Sequence, residues 1–317
     1  MSGQRQGEET KKKLQRRFRD LNEVRSTITP LYPSSCEREY LRVADAWLAL
    51  YTGTLEQYMP ELERAYAEAV RTDSRTDSVS DSLRAVLQKI ADAVQSKAEK
   101  FGLTEKLEKL SKMIQTKSVR EWSRICRTTL GVDVDQSHYG SGFFGSRISD
   151  WIAANESGMT GITNKAVADL EEVLSAALEK KKDLTELSAL VQESTEKTER
   201  AARNACSDQV ANLNANMVQM LVKDSGSSKY IWSTKKDSRV RECHRALEGE
   251  ICDYDYPPEM WYSTKAGTVY TGRRCNPGED YGCRCVAIPV FEVDTISVPT
   301  TEEQQKERVS GGDQRKN

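Results

Sequence analysis

The chain has 317 residues, 37% of them hydrophobic and 30% charged, with a formal net charge of −2. At about 150 residues per domain this length suggests roughly two domains; so polar a composition calls for long helices with narrow apolar stripes rather than one thick core. The near-neutral balance excludes a protein that holds nucleic acid by its overall field, and no segment approaches the roughly 20 continuous apolar residues that span a bilayer.

The opening MSGQRQGEETKKKLQRRFRD has no apolar centre, so no secretory leader is expected. Folding is then expected in a reducing cytoplasm, where disulfides rarely persist. Residues 1–9 are polar and expected to be disordered. From Lys11 to Ile28, Leu14, Phe18, Leu21, Val24 and Ile28 recur at helical spacing, with Lys11, Lys12, Lys13, Arg16, Arg17 and Arg19 crowded around them. Such a basic amphipathic helix lies on nucleic acid, a membrane or an acidic partner, or docks by its stripe as an ordinary solvated helix. The prolines of TPLYPSSCEREY break the pattern. Ser35 is placed to cap a helix from about Glu37 through Tyr51, and a second helical run after Thr54 carries Leu62, Tyr66 and Val70. RTDSRTDSVSDS, residues 71–82, reads as a polar spacer.

Helices are next expected over Ser82–Lys100 and Thr104–Arg127, separated at Phe101-Gly102-Leu103. The glycine-rich stretch 131–147 reads as an irregular loop. Its His138 has no cysteine cluster around it and is expected to be a surface residue, not a ligand. Three or four helices follow from Ile148. Asn164 is placed to cap one whose stripe is Val167, Leu170, Leu174, Ala177 and Leu178, with Lys180, Lys181 and Lys182 at its C-terminal dipole end. A short helix carries Leu187, Leu190 and Val191. A long one runs from about Glu196 to Lys223 on Ala202, Cys206, Val210, Leu213, Met217 and Leu221, which makes Cys206 a core thiol. DSGSS, 224–228, ends it on a glycine.

Residues 229–294 are different material, richer in tyrosine, proline, glycine and cysteine. KYIWST, GTVYT and CRCVAIPV read as short strands and RVRECHRAL as a short helix, a small α+β module. Pro289 inside the last strand favours a sheet edge. After Asp294 the chain, 295–317, is polar and expected to be a disordered tail. The fold class is therefore mainly α: a helical N-terminal region over 1–147, a helical array over 148–225, and the cysteine- and histidine-containing module over 226–294.

Five of the eight cysteines and one of the two histidines fall in that module: Cys243, Cys252, Cys275, Cys283, Cys285 and His244. In a strand, residues i and i+2 share a face, so Cys283 and Cys285 present both sulfurs to one point with Arg284 turned away. A tetrahedral metal such as zinc takes four ligands; His244 and Cys275 complete the set, with Cys243 and Cys252 in reserve. Packed free thiols and disulfides are the plainer alternatives. So small a module buries little surface and gains from a staple of either kind. A bound metal would be structural, because no carboxylate stands at a recognised spacing from His244 to act as general base. Asp237 and Arg241 are four apart, suited to an ion pair on one helix face, and Asp237 is alternatively a helix cap. Phosphate-binding glycine motifs and a nucleophile elbow are absent from the sequence.

YIWSTKKDSRVRECHRALEGEI followed by NPGEDYGCRCVAIPV resembles the signature of the phage Mu protein F-like family of head morphogenesis (minor head) proteins. That signature is an aromatic-x-Trp-x-Thr strand, Asp-x-Arg-x-Arg-x-x-His, Leu-x-Gly, and Pro-Gly before Cys-Arg-Cys. The matching residues are Tyr230, Trp232, Thr234, Asp237, Arg239, Val240, Arg241, His244, Leu247, Gly249, Pro277, Gly278, Cys283, Arg284 and Cys285. The preceding helices, ending in TEKTERAARNACSDQVANLN, are similar to the family's helical array. Cys243, Cys252 and Cys275 lie outside the usual signature. The resemblance implies a virion protein, not an enzyme: a minor component of the procapsid near the portal vertex, present in few copies, built in the host cytoplasm. Its implied partners are the portal protein, the major capsid or scaffold protein and packaged DNA, with no membrane. The alternatives are a metal-dependent, nuclease-like enzyme or a zinc-stapled interaction module. A toxin built on the same module is disfavoured, because the short stretch after Cys285 leaves too little chain for an effector.

Overall fold

The computed structural model describes residues 2–71 and 81–300, without the side chains of residues 2–8, 141, 206 and 207. The spacer expected at 71–82 and the tail expected beyond Asp294 therefore lie largely outside the described residues, and so does the side chain of Cys206. The described chain is mainly helical, with a small sheet region near its C-terminal end. It forms two compact units, neither of them a continuous stretch: residues 1–34, 111–149 and 210–317 in one, and 35–110 and 150–209 in the other.

The second of these is an α-helical bundle. It contains α2 (Ser34–Arg71), α3 (Asp81–Glu99), the start of α4 (Leu103–Leu130), most of α5 (Ser141–Glu179) and the first part of α6 (Leu187–Asp224). A short 3-10 turn, Leu184–Glu186, connects α5 to α6 and is capped by Asp183. The core interleaves Tyr51, Leu55, Leu62 and Tyr66 of α2 with Leu83, Leu87 and Ile90 of α3 and Leu170 and Leu174 of α5. Polar tips of buried α2 aromatics find backbone acceptors further along the chain, as burial requires: Trp47 Nε1 donates to Met159 O at 3.1 Å, Tyr51 Oη to Ala166 O at 3.3 Å and Tyr66 Oη to Lys182 O at 3.2 Å. The donor and acceptor positions rise together, so α2 and α5 run parallel.

Several helix boundaries differ from the sequence expectation. α2 continues through Tyr51 and Thr54 and carries Pro60 inside it. α5 passes straight through Asn164, which caps nothing, and starts at Ser141, so the loop after α4 is only 131–140. The short and long helices expected at Leu187 and Glu196 are one, α6. Burial of a continuous apolar stripe outweighs a local polar cap signal in each case.

The other unit is α+β. α1 spans Ser2–Arg17, so residues 2–9 are helical, not disordered. The helix stops there, and the outer part of the apparent stripe becomes strand β1 (Glu23–Arg25). The remaining strands are β2 (Lys229–Ser233), β3 (Ile251–Asp253), β4 (Glu259–Thr264), β5 (Gly267–Arg274) and β6 (Val286–Glu292), with α7 (Glu242–Ala246) between β2 and β3. One antiparallel sheet has the order β1-β6-β2-β3, and β4-β5 is a separate hairpin.

β6 is thus an inner strand, which corrects the edge position expected from Pro289. Ser26 N donates to Pro289 O at 3.0 Å, so Pro289 turns its carbonyl toward β1. A residue's N and C=O lie on the same side of a strand. The donor missing from proline therefore falls where three-residue β1 has already ended, and no ladder bond toward β2 is lost. The sheet packs on α4 through Trp122 and Phe291, whose rings lie 5.6 Å apart. The strand module therefore does not stand alone: β1 extends its sheet and α4 covers it.

α1 is tied to the far end of the sequence. Gln15 Nε2 donates to Asp294 O at 2.8 Å, and Thr10 Oγ1 meets Thr300 Oγ1 at 3.1 Å. Ile296 and Val298 are buried, and Ser297 N bonds Ser225 O at 2.9 Å. The first residues beyond Asp294 are therefore packed, contrary to the expected disorder. Gly226 explains the fit: its φ is +78°, and a Cβ there would lie 2.2 Å from Thr295 O.

Candidate metal centre

The strand-turn-helix run from β2 to α7 aims His244 at the start of β6. β2 places Trp232 inward, and its indole lies 5.3 Å from the His244 ring. The Leu-x-Gly turn returns to the same strand: Gly249 N bonds Trp232 O at 2.8 Å, and Trp232 N bonds Glu250 O at 2.9 Å. Tyr230 is fully buried and donates its hydroxyl to Asn276 Oδ1 at 3.0 Å. Asn276 Nδ2 in turn donates to Glu279 Oε2 at 3.1 Å, which folds the 276–279 turn that leads to the two cysteines.

His244, Cys283 and Cys285 converge. All three are buried, and their ligating atoms lie within 4.8 Å of one another. His244 Nδ1 is 3.7 Å from Cys283 Sγ and 3.8 Å from Cys285 Sγ. The sequence expected both sulfurs on one face of a strand. They do meet at one point, but from the extended segment just before β6, which begins at Val286. Cys275 is buried close by but does not join the set, and neither do Cys243 and Cys252. Cys252 sits opposite Tyr230 on edge strand β3. The seven cysteines with described side chains are all free thiols.

Gly278 shapes this knuckle. Its N–H donates to Cys283 Sγ at 3.3 Å. Its φ is +90°, and a Cβ would stand 3.1 Å from Ala215 Cβ and 3.2 Å from Ala211 O of α6. Only glycine turns the backbone here while letting the amide face the sulfur. Pro277 before it fixes the entry to the turn.

Asp280 is the residue that sequence reasoning missed. Its carboxylate is 3% exposed, lies 3.3 Å from His244 Nε2 and is held by the guanidiniums of Arg241 and Arg273. Arg241 also donates to Tyr281 O. Burial works against the charge, but His244 and the two arginines hold the carboxyl at about 2. Burial also disfavours the imidazolium, yet Asp280 and Cys283 outweigh it and lift His244 to about 9. Between the sulfurs, the Cys285 thiol donates to Cys283, which keeps Cys283 well below the ordinary thiol range and pushes Cys285 up.

The ion pair expected between Asp237 and Arg241 does not form. Asp237 instead makes a two-pronged bridge to Arg284, both contacts at 2.8 Å, and accepts Arg239 N at 3.1 Å. It does not cap α7, whose N-cap is Arg241. Arg239 itself is exposed. Two of the three arginines of the motif thus serve partners distant in sequence: Arg284 ties the cysteine segment to the loop after β2, and Arg241 orients the carboxylate behind His244. His138 lies apart from this cluster, half-exposed and 3.4 Å from Asp224 Oδ2, a surface residue as expected.

A family model described as "Phage Mu protein F like protein" matches residues 168–288. An uncharacterized protein of Haemophilus influenzae (strain Rd) is 24% identical over 268 residues, covering 82% of this chain; the chain spans 57% of that relative's length. No solved structure matches. The segment that runs from α5 through the paired cysteines, residues 168–288, is thus similar to the Phage Mu protein F like family.

Proposed function

We propose that the chain is a bacteriophage head morphogenesis protein, a minor structural component of the procapsid and virion that works near the portal vertex. The observation that carries this reading is the family match over 168–288, within which His244, Cys283 and Cys285 come together in one buried cluster. Its partners are the portal protein and the major capsid or scaffold protein. Packaged DNA is a further contact, for which α1 offers exposed Lys12, Lys13 and Arg16. None of the described helices is long and apolar enough to cross a membrane.

The knuckle is read as a structural zinc site formed by His244, Cys283 and Cys285. Ligand atoms of a tetrahedron lie about 1.6 bond lengths apart, so zinc asks for sulfur–nitrogen separations of about 3.5 Å and sulfur–sulfur separations of about 3.8 Å. The 3.7 and 3.8 Å separations around Nδ1 fit this. A histidine ligand usually offers its other ring nitrogen to a carboxylate, and Asp280 stands at Nε2. When bound, the ion would tie β6 to α7. The arrangement favours structure over catalysis: Asp280, the nearest carboxylate, is engaged by two arginines and held at about 2, a poor base at neutral pH.

The test is co-expression with the portal and major capsid proteins of the same phage. The chain should co-sediment in few copies with shells that contain portal and be missing from portal-free shells. Equal recovery with and without portal would refute the vertex assignment. Freshly purified protein should carry about one zinc per chain; metal-free protein with native near-ultraviolet dichroism would refute the zinc staple.

A further inference from the structure

The three converging ligands leave a tetrahedral ion one position short, and they line a cleft. His244, Cys283 and Cys285 line a cleft of about 60 Å³ together with Lys235, Arg239, Val240, Arg241, Gly282 and Arg284. Four of these lining residues are cationic. Asp237 balances Arg284, and Asp280 is shared between Arg241 and Arg273. Lys235 and Arg239 are exposed and make no ion pair among the described residues. An ion with charge +2 and two thiolates is neutral, so the excess positive charge of the cleft remains.

From this we infer that the fourth ligand is an oxygen of a phosphate group, drawn into the cleft and held by Lys235 and Arg239. Two unbalanced cations suit a dianion better than a singly charged carboxylate. The cleft, about 60 Å³, has space for a tetrahedral oxyanion. Cys275 and Cys243, the protein's own candidates for the position, are both buried and stand outside the set of converging ligand atoms. The inference rests on the metal reading above, and it changes that reading from a sealed staple to a site with an exchangeable position. Phosphate from solution and a terminal phosphate on a nucleic acid offer the same chemistry.

The experiment uses the full chain loaded with cobalt(II), whose visible absorption reports coordination number and thiolate count. Inorganic phosphate should produce a saturable change in the ligand-field bands. Lys235→Gln with Arg239→Gln should weaken that response about tenfold or more, as loss of charged contacts predicts, while cobalt binding stays intact. Both side chains are exposed, so the double variant should fold, and circular dichroism checks it. Cys275→Ser and Cys243→Ser should leave the thiolate-to-cobalt intensity unchanged. A loss of about a third of that intensity in either serine variant would overturn the inference, because a third protein thiolate would then hold the position. So would a phosphate response that is lacking, that acetate reproduces at equal strength, or that survives the double substitution. Failure of the wild-type chain to take up cobalt or zinc would refute the metal reading itself, and this inference with it. A 5′-phosphorylated oligonucleotide compared with its 5′-hydroxyl form tells the two phosphate sources apart; a stronger response to the phosphorylated form assigns the group to a nucleic-acid end, and an equal response to both assigns it to free phosphate.

Discussion

Replacing Gly278 with alanine tests how the knuckle is built. Two costs add at this position. The backbone φ of +90° puts an L-residue in the left-handed region, worth about 1–2 kcal/mol. The new Cβ also meets Ala215 Cβ at 3.1 Å and the Ala211 carbonyl at 3.2 Å, both parts of α6 with little freedom to retreat. Overpacking of this kind costs about 1–3 kcal/mol, so the total is about 2–5 kcal/mol. Gly249 is a built-in control: its φ is +83°, yet nothing lies within 4 Å of its Cβ position, so Gly249→Ala should carry the backbone cost alone. Urea denaturation read by hydrogen exchange of β2 and β6 amides localises the loss to the sheet unit. Gly278→Ala should exceed Gly249→Ala by at least about 1 kcal/mol. Equal losses would mean that the contact with α6 is not tight. Losses below about 0.5 kcal/mol in both would refute the strained-turn argument altogether.

Three other outcomes follow from the same geometry. Asp280→Asn should weaken metal affinity about 10–100-fold, measured by competition with a chromogenic chelator; unchanged affinity would remove the carboxylate from the account of how His244 is oriented. Trp122→Ala should destabilise the sheet unit by about 3–5 kcal/mol, read as a lower urea midpoint at constant slope, and a shift under about 1 kcal/mol would contradict the packing of Trp122 on Phe291. In the helical unit, Asp183 accepts both Thr185 Oγ1 and Thr185 N, the latter at 2.9 Å, which holds its carboxyl below the usual range. A depressed carboxyl stabilises the fold above its unfolded pKa of about 4 and loses that contribution as pH falls through the folded value. Exchange protection of the Thr185 amide should thus decline on acidification in the wild type and be low and pH-insensitive in Asp183→Ala, once intrinsic exchange rates are divided out.

Much of the helical layout is legible from apolar periodicity. α3 and α4 fall within a few residues of their expected bounds, and the Phe101-Gly102-Leu103 break is real, with Gly102 at φ +67°. The stripe from Leu14 to Ile28 misleads because three residues of strand are too short to disturb a helical count, and only the partner strand far along the chain, Glu292 opposite Glu23, reveals them. At the site, His244, Cys283 and Cys285 are recognisable from residue type alone, since few other arrangements of soft ligands exist in the chain. Asp280 is harder: an acidic residue in a turn usually faces water, and its burial depends on Arg241 and Arg273 arriving from separate segments. The same long-range competition undoes the local pairing of Asp237 with Arg241. Four-residue spacing favours an ion pair by only about 0.2–0.5 kcal/mol, less than a two-pronged bridge to Arg284 offers.

The clasp between the two ends of the chain sets a timetable. β1 pairs with the last residues of β6, and Thr10 meets Thr300 across 290 positions. A ribosome delivers about 5–20 residues each second, so β1 is synthesised many seconds before β6 exists to receive it. Until then the β1 backbone groups that face β6 have no native partner. Closing so long a loop is entropically slow and comes late in folding. A chain cut before β6 would therefore lack the native pairing of β1, at the opposite end from the missing part. An antibody against α1 and β1 would distinguish finished from unfinished molecules.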